Sequence, residues 1–222
     1  MQIEIAVPNI TINFPKDGKI RSRKVVKRSN ARNTGKYPSC KMQRMLQWES
    51  VHESNAMRLL DADPNVLSFH EQPCEIIYQL NGVSHRHYPD LLVKEKYKQV
   101  MIEVKSRDDA NAPEILQRTT FLTSALPPYG YEYRVLFAED LARQPRLDNL
   151  KTLLKFGRFP LPLLEQESLR QMFLGSRQIP WGYLCEQGHL RKACRLILEG
   201  KLSIDIDNPL HTQTLVYHNF KA

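Results

Sequence analysis

The stretch HYPDLLVKEKYKQVMIEVK, residues 87–105, decides the fold. It holds Pro89-Asp90 and, after twelve intervening residues, Glu103-Val104-Lys105. In a strand successive side chains alternate faces, so Glu103 and Lys105 share one side while Ile102 and Val104 enter the opposite packing layer. The charged turn Lys94-Glu95-Lys96 allows two antiparallel strands on either side of it, which brings Asp90 next to the Glu103–Lys105 pair. Glu-x-Lys alone is commonplace on an exposed strand. What lifts it above that background is Pro-Asp at this distance upstream, after a hairpin and inside an ordered run of elements.

Working outward, residues 74–80 read as a strand that turns through Asn81-Gly82, a strong hairpin signal, into a strand over 83–93. Residues 99–105 form the next strand. A helix follows over 112–125, with Pro113 in its first turn and Pro127-Pro128 after its end, and residues 131–138 form a further strand. Upstream, residues 41–62 read as a helix: Met42, Met45, Leu46, Ala56 and Leu60 fall on one stripe, and Asp63-Pro64 closes it. Glu49 and Glu53 lie on that apolar stripe, where a solvated glutamate does not belong. The order of helix, three strands, helix and strand predicts an α/β fold: a mixed sheet flanked by helices.

After Arg143 the pattern changes to short helices over 147–156, 161–174, 181–185 and 190–199, then a strand pair around 202–206 and 213–217. The expected organisation is residues 1–143 as the mixed α/β domain with a basic N-terminal arm and residues 144–222 as a smaller, mostly helical domain. Two successive helices, the second bearing Arg191, Lys192 and Arg195, followed by a hairpin, outline a winged-helix-like module. Trp181 and Tyr183 read as core anchors of that domain.

Charge is unevenly placed. The chain of 222 residues carries a net +8, and residues 16–44 hold eleven basic residues against Asp17 alone, which leaves the remainder near −2. Such a segment fits a polyanionic partner, because neutralising phosphates releases condensed counterions. Residues 1–40 read as an extended, partly strand-like arm, with Ile3, Ile5, Val7, Ile10, Ile12 and Phe14 as its apolar patches. The four cysteines (Cys40, Cys74, Cys185, Cys194) form no CxxC pair, and Cys185, His189 and Cys194 lack a standard zinc spacing, so reduced thiols are expected. With no secretory leader pattern and no long apolar run, the expected location is cytoplasmic, without membrane contact.

Glu53, Asp90 and Glu103 together make a carboxylate set suited to Mg²⁺, a hard cation that takes oxygen ligands. Phosphodiester hydrolysis needs an activated water and relief of charge on the phosphoryl oxygens, which such a cation provides. Lys105 can orient the water or stabilise developing charge. Glu49 competes with Glu53 as the helix-borne ligand. Gln72 is a candidate support residue, Asp61 and Asp63 read as helix-ending residues, and His85 and His87 as surface histidines of the hairpin.

Ser50-Val51-His52-Glu53, Leu59-Leu60-Asp61-Ala62-Asp63-Pro64-Asn65-Val66, Gln72-Pro73, Tyr88-Pro89-Asp90 and Glu103-Val104-Lys105, in this order, resemble the TnsA endonuclease subunit of heteromeric cut-and-paste transposases. The resemblance covers residues 40–140 well. It implies a PD-(D/E)xK nuclease in which Glu53, Asp90 and Glu103 bind Mg²⁺, with Mn²⁺ able to substitute, and Lys105 completes the site. It also implies bacterial, nucleoid-associated action on double-stranded DNA at transposon ends. There the 5′, non-transferred strands are cut while the DDE transposase TnsB cuts and joins the 3′ ends, and the C-terminal part contacts the AAA+ regulator TnsC and DNA. The best-known member has Gln where this chain has Glu103. Two alternatives stand beside this reading: a stand-alone restriction or junction-resolving nuclease, and a non-catalytic DNA-binding assembly adaptor.

Overall fold

The computed structural model describes residues 10–16, 19–23 and 34–220. Lys24, Lys27, Arg28 and Arg32 of the basic segment, and Ile3, Ile5 and Val7 of the arm, lie outside the described residues. The chain divides into two compact units, one drawn from Met1–Pro38, Met45–Ala56 and Val66–Leu141, the other from Ser39–Arg44, Met57–Asn65 and Ala142–Ala222.

The first unit is a mixed α/β body built on two sheets. The strands are β1 (Ile10–Asn13), β2 (Gly35–Ser39), β3 (Arg44–Trp48), β4 (Val66–Glu71), β5 (Glu75–Leu80), β6 (Val83–His87), β7 (Leu91–Glu95), β8 (Gln99–Lys105) and β9 (Tyr131–Phe137). One sheet has the order β4-β7-β8-β9, a second the order β1-β5-β6, and β2 and β3 pair by themselves. In the larger sheet β8 runs antiparallel to β7, with Leu91 opposite Ile102, and parallel to β9, with Glu103 opposite Val135. Helix α1 spans Val51–Ala62, before β4, and the parallel β8–β9 pairing requires a crossover, supplied by α2 (Arg107–Ala110) and α3 (Pro113–Ala125), which lie between those two strands.

Residues Val100 to Val104 of β8 are all buried, so the strand is covered on both faces. Met101, two residues before Glu103 and so on its face, enters a core cluster with Ile76 and Tyr78 of β5, Leu122 and Ala125 of α3 and Tyr133 of β9. The alternation expected at Glu103 and Lys105 therefore puts them on the same side as α3.

Three expectations are corrected. Residues 41–50 are not helical: β3 occupies Arg44–Trp48 and α1 begins at Val51. The physical start signal is Ser50, whose hydroxyl accepts the N–H of Glu53 at 3.1 Å, as an N-cap does. Residues 83–93 are not one strand, because Tyr88-Pro89-Asp90 separates β6 from β7 and the two belong to different sheets. Proline has no N–H to donate to a ladder. And β4, which the sequence pattern did not single out, pairs with β7 through a register shift between Val66 and Ser68. The arm expectation is met in part, since Ile10–Asn13 pairs antiparallel with β5.

The second unit contains α5 (Arg146–Phe156), α6 (Leu163–Met172), β10 (Gln178–Pro180), α7 (Trp181–Glu186), α8 (Leu190–Leu198), β11 (Leu202–Ser203) and β12 (Leu215–His218), while α4 (Ala138–Leu141) closes the first unit. Its small antiparallel sheet has the order β10-β12-β11. Leu150, Leu153, Leu169, Leu184, Leu196, Ile197 and Val216 fill its core. Trp181 belongs to that core, but Tyr183 is exposed and does not. Asp61 does more than end a helix: it accepts the Ser39 hydroxyl and the N–H groups of Cys40 and Lys41 at 2.8–2.9 Å. Among the described residues no helix is long and apolar enough to cross a membrane.

Candidate active site

Glu53, Asp90, Glu103 and Lys105 line one cleft of about 510 Å³ in the first unit, together with Arg23, Glu49, His52, His87 and Tyr88. Each arrives by a different local device. Ser50 and Glu53 form a capping pair: the serine hydroxyl takes the Glu53 N–H, and the Glu53 carboxylate reaches back to the N–H of Glu49 at 2.9 Å. Asp90 follows the proline that ends the β6 side and precedes β7, and its Oδ2 accepts the N–H of Val104 at 2.8 Å. Glu103 and Lys105 come from alternate positions of β8, with Lys105 Nζ 2.8 Å from Glu103 Oε1.

The carboxylates are crowded, and two of them are buried. Glu53 is 8% exposed and Glu103 4%. Burial raises the Glu53 pKa, with the neighbouring Glu49 charge adding to it. Burial also raises that of Asp90 well above its ordinary value, reinforced by the charges of Glu103 and Glu53. For Lys105, burial would lower the pKa, but the charge and hydrogen bond of Glu103, with Asp90 beyond, outweigh it and raise it. The lysine stays an ammonium ion within this pocket.

Beneath Glu103 lies a layer that the sequence did not reveal. Arg118 of α3 donates from Nη2 to Glu103 Oε1 at 3.1 Å. His87, expected on the surface, is 6% exposed, with its Nε2 3.0 Å from the Tyr133 hydroxyl and 3.5 Å from Glu103 Oε2. It is not the counter-ion of Glu103, because burial, Arg118, Lys105 and Arg23 push its pKa down to about 3 and leave the ring neutral. Burial likewise holds the Tyr133 phenol protonated. The turn into β6 makes His87 look like a hairpin-tip residue. It is the last residue of the strand, opposite the buried Ile76 of β5, and only the pairing shows that. Arg118, four positions from Leu122 in the core, carried a weak signal: a basic residue next to the apolar face of α3 needs a buried acid as partner.

Glu49 is engaged by Arg23, at 2.6 Å from Nη2, whereas the Glu53 carboxylate accepts the backbone N–H of Glu49 at Oε2. Gln72, with a left-handed φ of 47°, donates its N–H to the Asp90 carbonyl at 2.9 Å.

Among the described residues no three His, Cys, Asp or Glu side chains stand in a ligand arrangement for a metal ion; Glu53 and Glu103 are turned to Glu49 N and to the Lys105–Arg118 pair. The donor set nonetheless suits a hard divalent cation. Its ligand atoms are carboxylate oxygens, their mutual repulsion is what a cation relieves, and Glu103 Oε2 is buried without a hydrogen-bond partner.

Residues 63–135 match the family model described as TnsA-like endonuclease N terminal, and no curated protein gives a match. The matched stretch, about a third of the chain, holds Asp90, Glu103 and Lys105, with Glu53 preceding it. This part of the chain is thus similar to the N-terminal part of TnsA-like endonucleases, which supports a nuclease of the PD-(D/E)xK type.

Proposed function

We propose that this TnsA-like endonuclease hydrolyses the 5′, non-transferred strands at transposon ends, inside a cut-and-paste machine with the DDE transposase TnsB and the AAA+ regulator TnsC. The observation that carries the reading is the convergence of Glu53, Asp90, Glu103 and Lys105 on one cleft, three of them within the matched endonuclease stretch. Glu53, Asp90 and Glu103 would hold Mg²⁺, or Mn²⁺ in its place. The cation supplies charge relief at the phosphoryl oxygens and a water of lowered pKa. Lys105, protonated and 30% exposed at its side chain, orients that water or stabilises the charge that develops on the phosphoryl group. Asp90 is held in place by Val104 N–H, and Glu103 by Arg118.

Residues 1–143 act as the nuclease domain and its arm, and residues 144–222 as the partner- and DNA-contacting domain. A winged-helix reading of the latter is supported by its element order: two helices, a short strand, two further helices and a hairpin, with the short strand next to the second hairpin strand. A bacterial cytoplasm, with access to the nucleoid, is the compartment where this substrate occurs.

The test is cleavage of duplex DNA that carries the element's ends, with TnsB and TnsC present. Asp90→Ala should abolish nicking of the 5′ strand and leave folding and partner binding intact, and undiminished nicking by that variant removes the proposed site. A second reading, a nuclease that needs no partner, is favoured by one residue: Glu103 gives this chain the full restriction-enzyme carboxylate set. It requires the purified protein with Mg²⁺ or Mn²⁺ alone to cut DNA.

A further inference from the structure

The basic N-terminal segment meets the cleft at one described residue, Arg23. Three consecutive residues fasten it there. Arg21 Nε donates to Glu71 Oε1 at 2.6 Å, Ser22 N–H to the Gln72 carbonyl at 2.9 Å, and Arg23 Nε to Gln72 Oε1 at 2.8 Å. Glu71 is 1% exposed, so its carboxylate needs that arginine. Gln72 in turn donates its N–H to the carbonyl of Asp90. The segment is thus stitched to the same backbone that places a proposed metal ligand.

The Arg23 guanidinium bonds Glu49 through Nη2 and lies over the Tyr88 ring, 5.6 Å from its centroid. Its Nη1 has no partner among the described residues, and its side chain is 40% exposed. Of the other two cations near the carboxylates, Arg118 is 20% exposed and faces Glu103, and Lys105, beside Glu103, is assigned to the reacting phosphoryl group and its water. Arg23, the most exposed of the three at 40%, is the cation positioned to receive a phosphate next to the reacting one. A planar guanidinium, fixed at Nε by a neutral amide, presents its two amino groups in one plane, the geometry that grips a phosphate by two bonds. Exchanging the Glu49 carboxylate for a phosphate oxygen keeps a charge-assisted bond at Nη2.

We propose that Arg23 is a substrate-binding residue of the cleft, gripping a backbone phosphate of the cleaved DNA strand, and that Glu49 holds the guanidinium ready until DNA arrives. This deepens the nuclease reading and rests on it. The segment then serves as a wall of the active site as well as a source of long-range attraction.

The test uses full-length protein and a fluorescent DNA duplex, with binding followed by anisotropy in EDTA from about 50 to about 300 mM KCl, and cleavage followed separately. Arg23→Ala is expected to weaken binding about tenfold at low salt and to reduce the slope of log K against log salt by about one. Arg23→Lys keeps the charge and hence the slope, but loses kcat/KM because the fork is gone. An unchanged slope in Arg23→Ala overturns the proposal. So does wild-type binding and cleavage in the double variant Arg23→Ala/Glu49→Gln, which would make Arg23 no more than the counter-ion of Glu49. Thermal melting of Arg23→Ala and Arg23→Lys verifies that each is folded. Because binding is read without cleavage, a protein that binds through Arg23 yet never cuts DNA refutes the nuclease reading and leaves this contact standing.

Discussion

Asp90 sits beside Glu103 and Glu53, and its carboxyl titrates well above the ordinary range because burial and those two charges oppose ionisation. Between the unfolded value of about 3.9 and the raised folded value, the folded protein binds more protons than the unfolded chain. Stability of the metal-free protein therefore falls as pH rises through that window and stays low above it. Asp90→Asn keeps an oxygen for the Val104 N–H and removes the charge. Its metal-free melting temperature at pH 7 should exceed wild type by about 3 °C, the shift that about 1 kcal/mol produces in a chain of this size, and its pH dependence should flatten while DNA cleavage is lost. Added Mg²⁺ should raise the wild-type melting temperature more at pH 8 than at pH 5, and the variant's much less. Calorimetry across pH, with and without the ion, decides this, and a variant no more stable than wild type at neutral pH would show that the crowded carboxylates carry no strain.

At the scale of elements, the start of α1 governs where Glu53 stands. Removing the hydroxyl that caps it, in Ser50→Ala, should cost about 1 kcal/mol and slow cleavage as the first turn frays, whereas Ser50→Thr should retain both stability and rate; melting curves and initial rates report the difference. The same pair shows what the sequence did and did not disclose. Alternation along 99–105 and the turn before it were enough to place Asp90, Glu103 and Lys105 together, because strand period and antiparallel register are local. The stripe of Met42, Met45 and Leu46 misled because three- and four-residue spacings also arise by chance in a short strand, and the Ser50-x-x-Glu53 capping box was the stronger signal. Strand β4 and the buried state of His87 were illegible, since both depend on pairing with distant strands, β7 and β5. In the second unit, helix packing leaves no room at Gly157, where an added Cβ would stand 2.8 Å from the backbone of Cys194 and Arg195 in α8. Backbone cannot yield as a side chain tip does, so Gly157→Ala should lower stability by about 1–3 kcal/mol. A thermal melt unchanged by the substitution would mean that the approach of α5 to α8 is looser than these distances require.

Over the whole molecule the charge is organised rather than merely positive. Residues 16–44 hold an excess of ten positive charges while the rest of the chain is close to −2, so on the proposed function long-range attraction to DNA would originate in one segment, whose Arg21 and Arg23 are bound at the cleft side. Each phosphate neutralised contributes about 0.9 to the slope of log affinity against log salt. Lys24, Lys27, Arg28 and Arg32 immediately follow Arg23. Replacing all four with alanine should reduce that slope by about three to four if each meets a phosphate, and should slow association at low salt. The carboxylate site itself is untouched, so cleavage at saturating DNA should persist, with the loss appearing in KM rather than kcat. Removing the same number of charges elsewhere, as in Arg191, Lys192, Lys151 and Lys155 of the second unit, should reduce the slope by less. Equal reductions from the two sets would mean that DNA attraction is spread over the surface, and the arm would lose its claim to deliver the substrate.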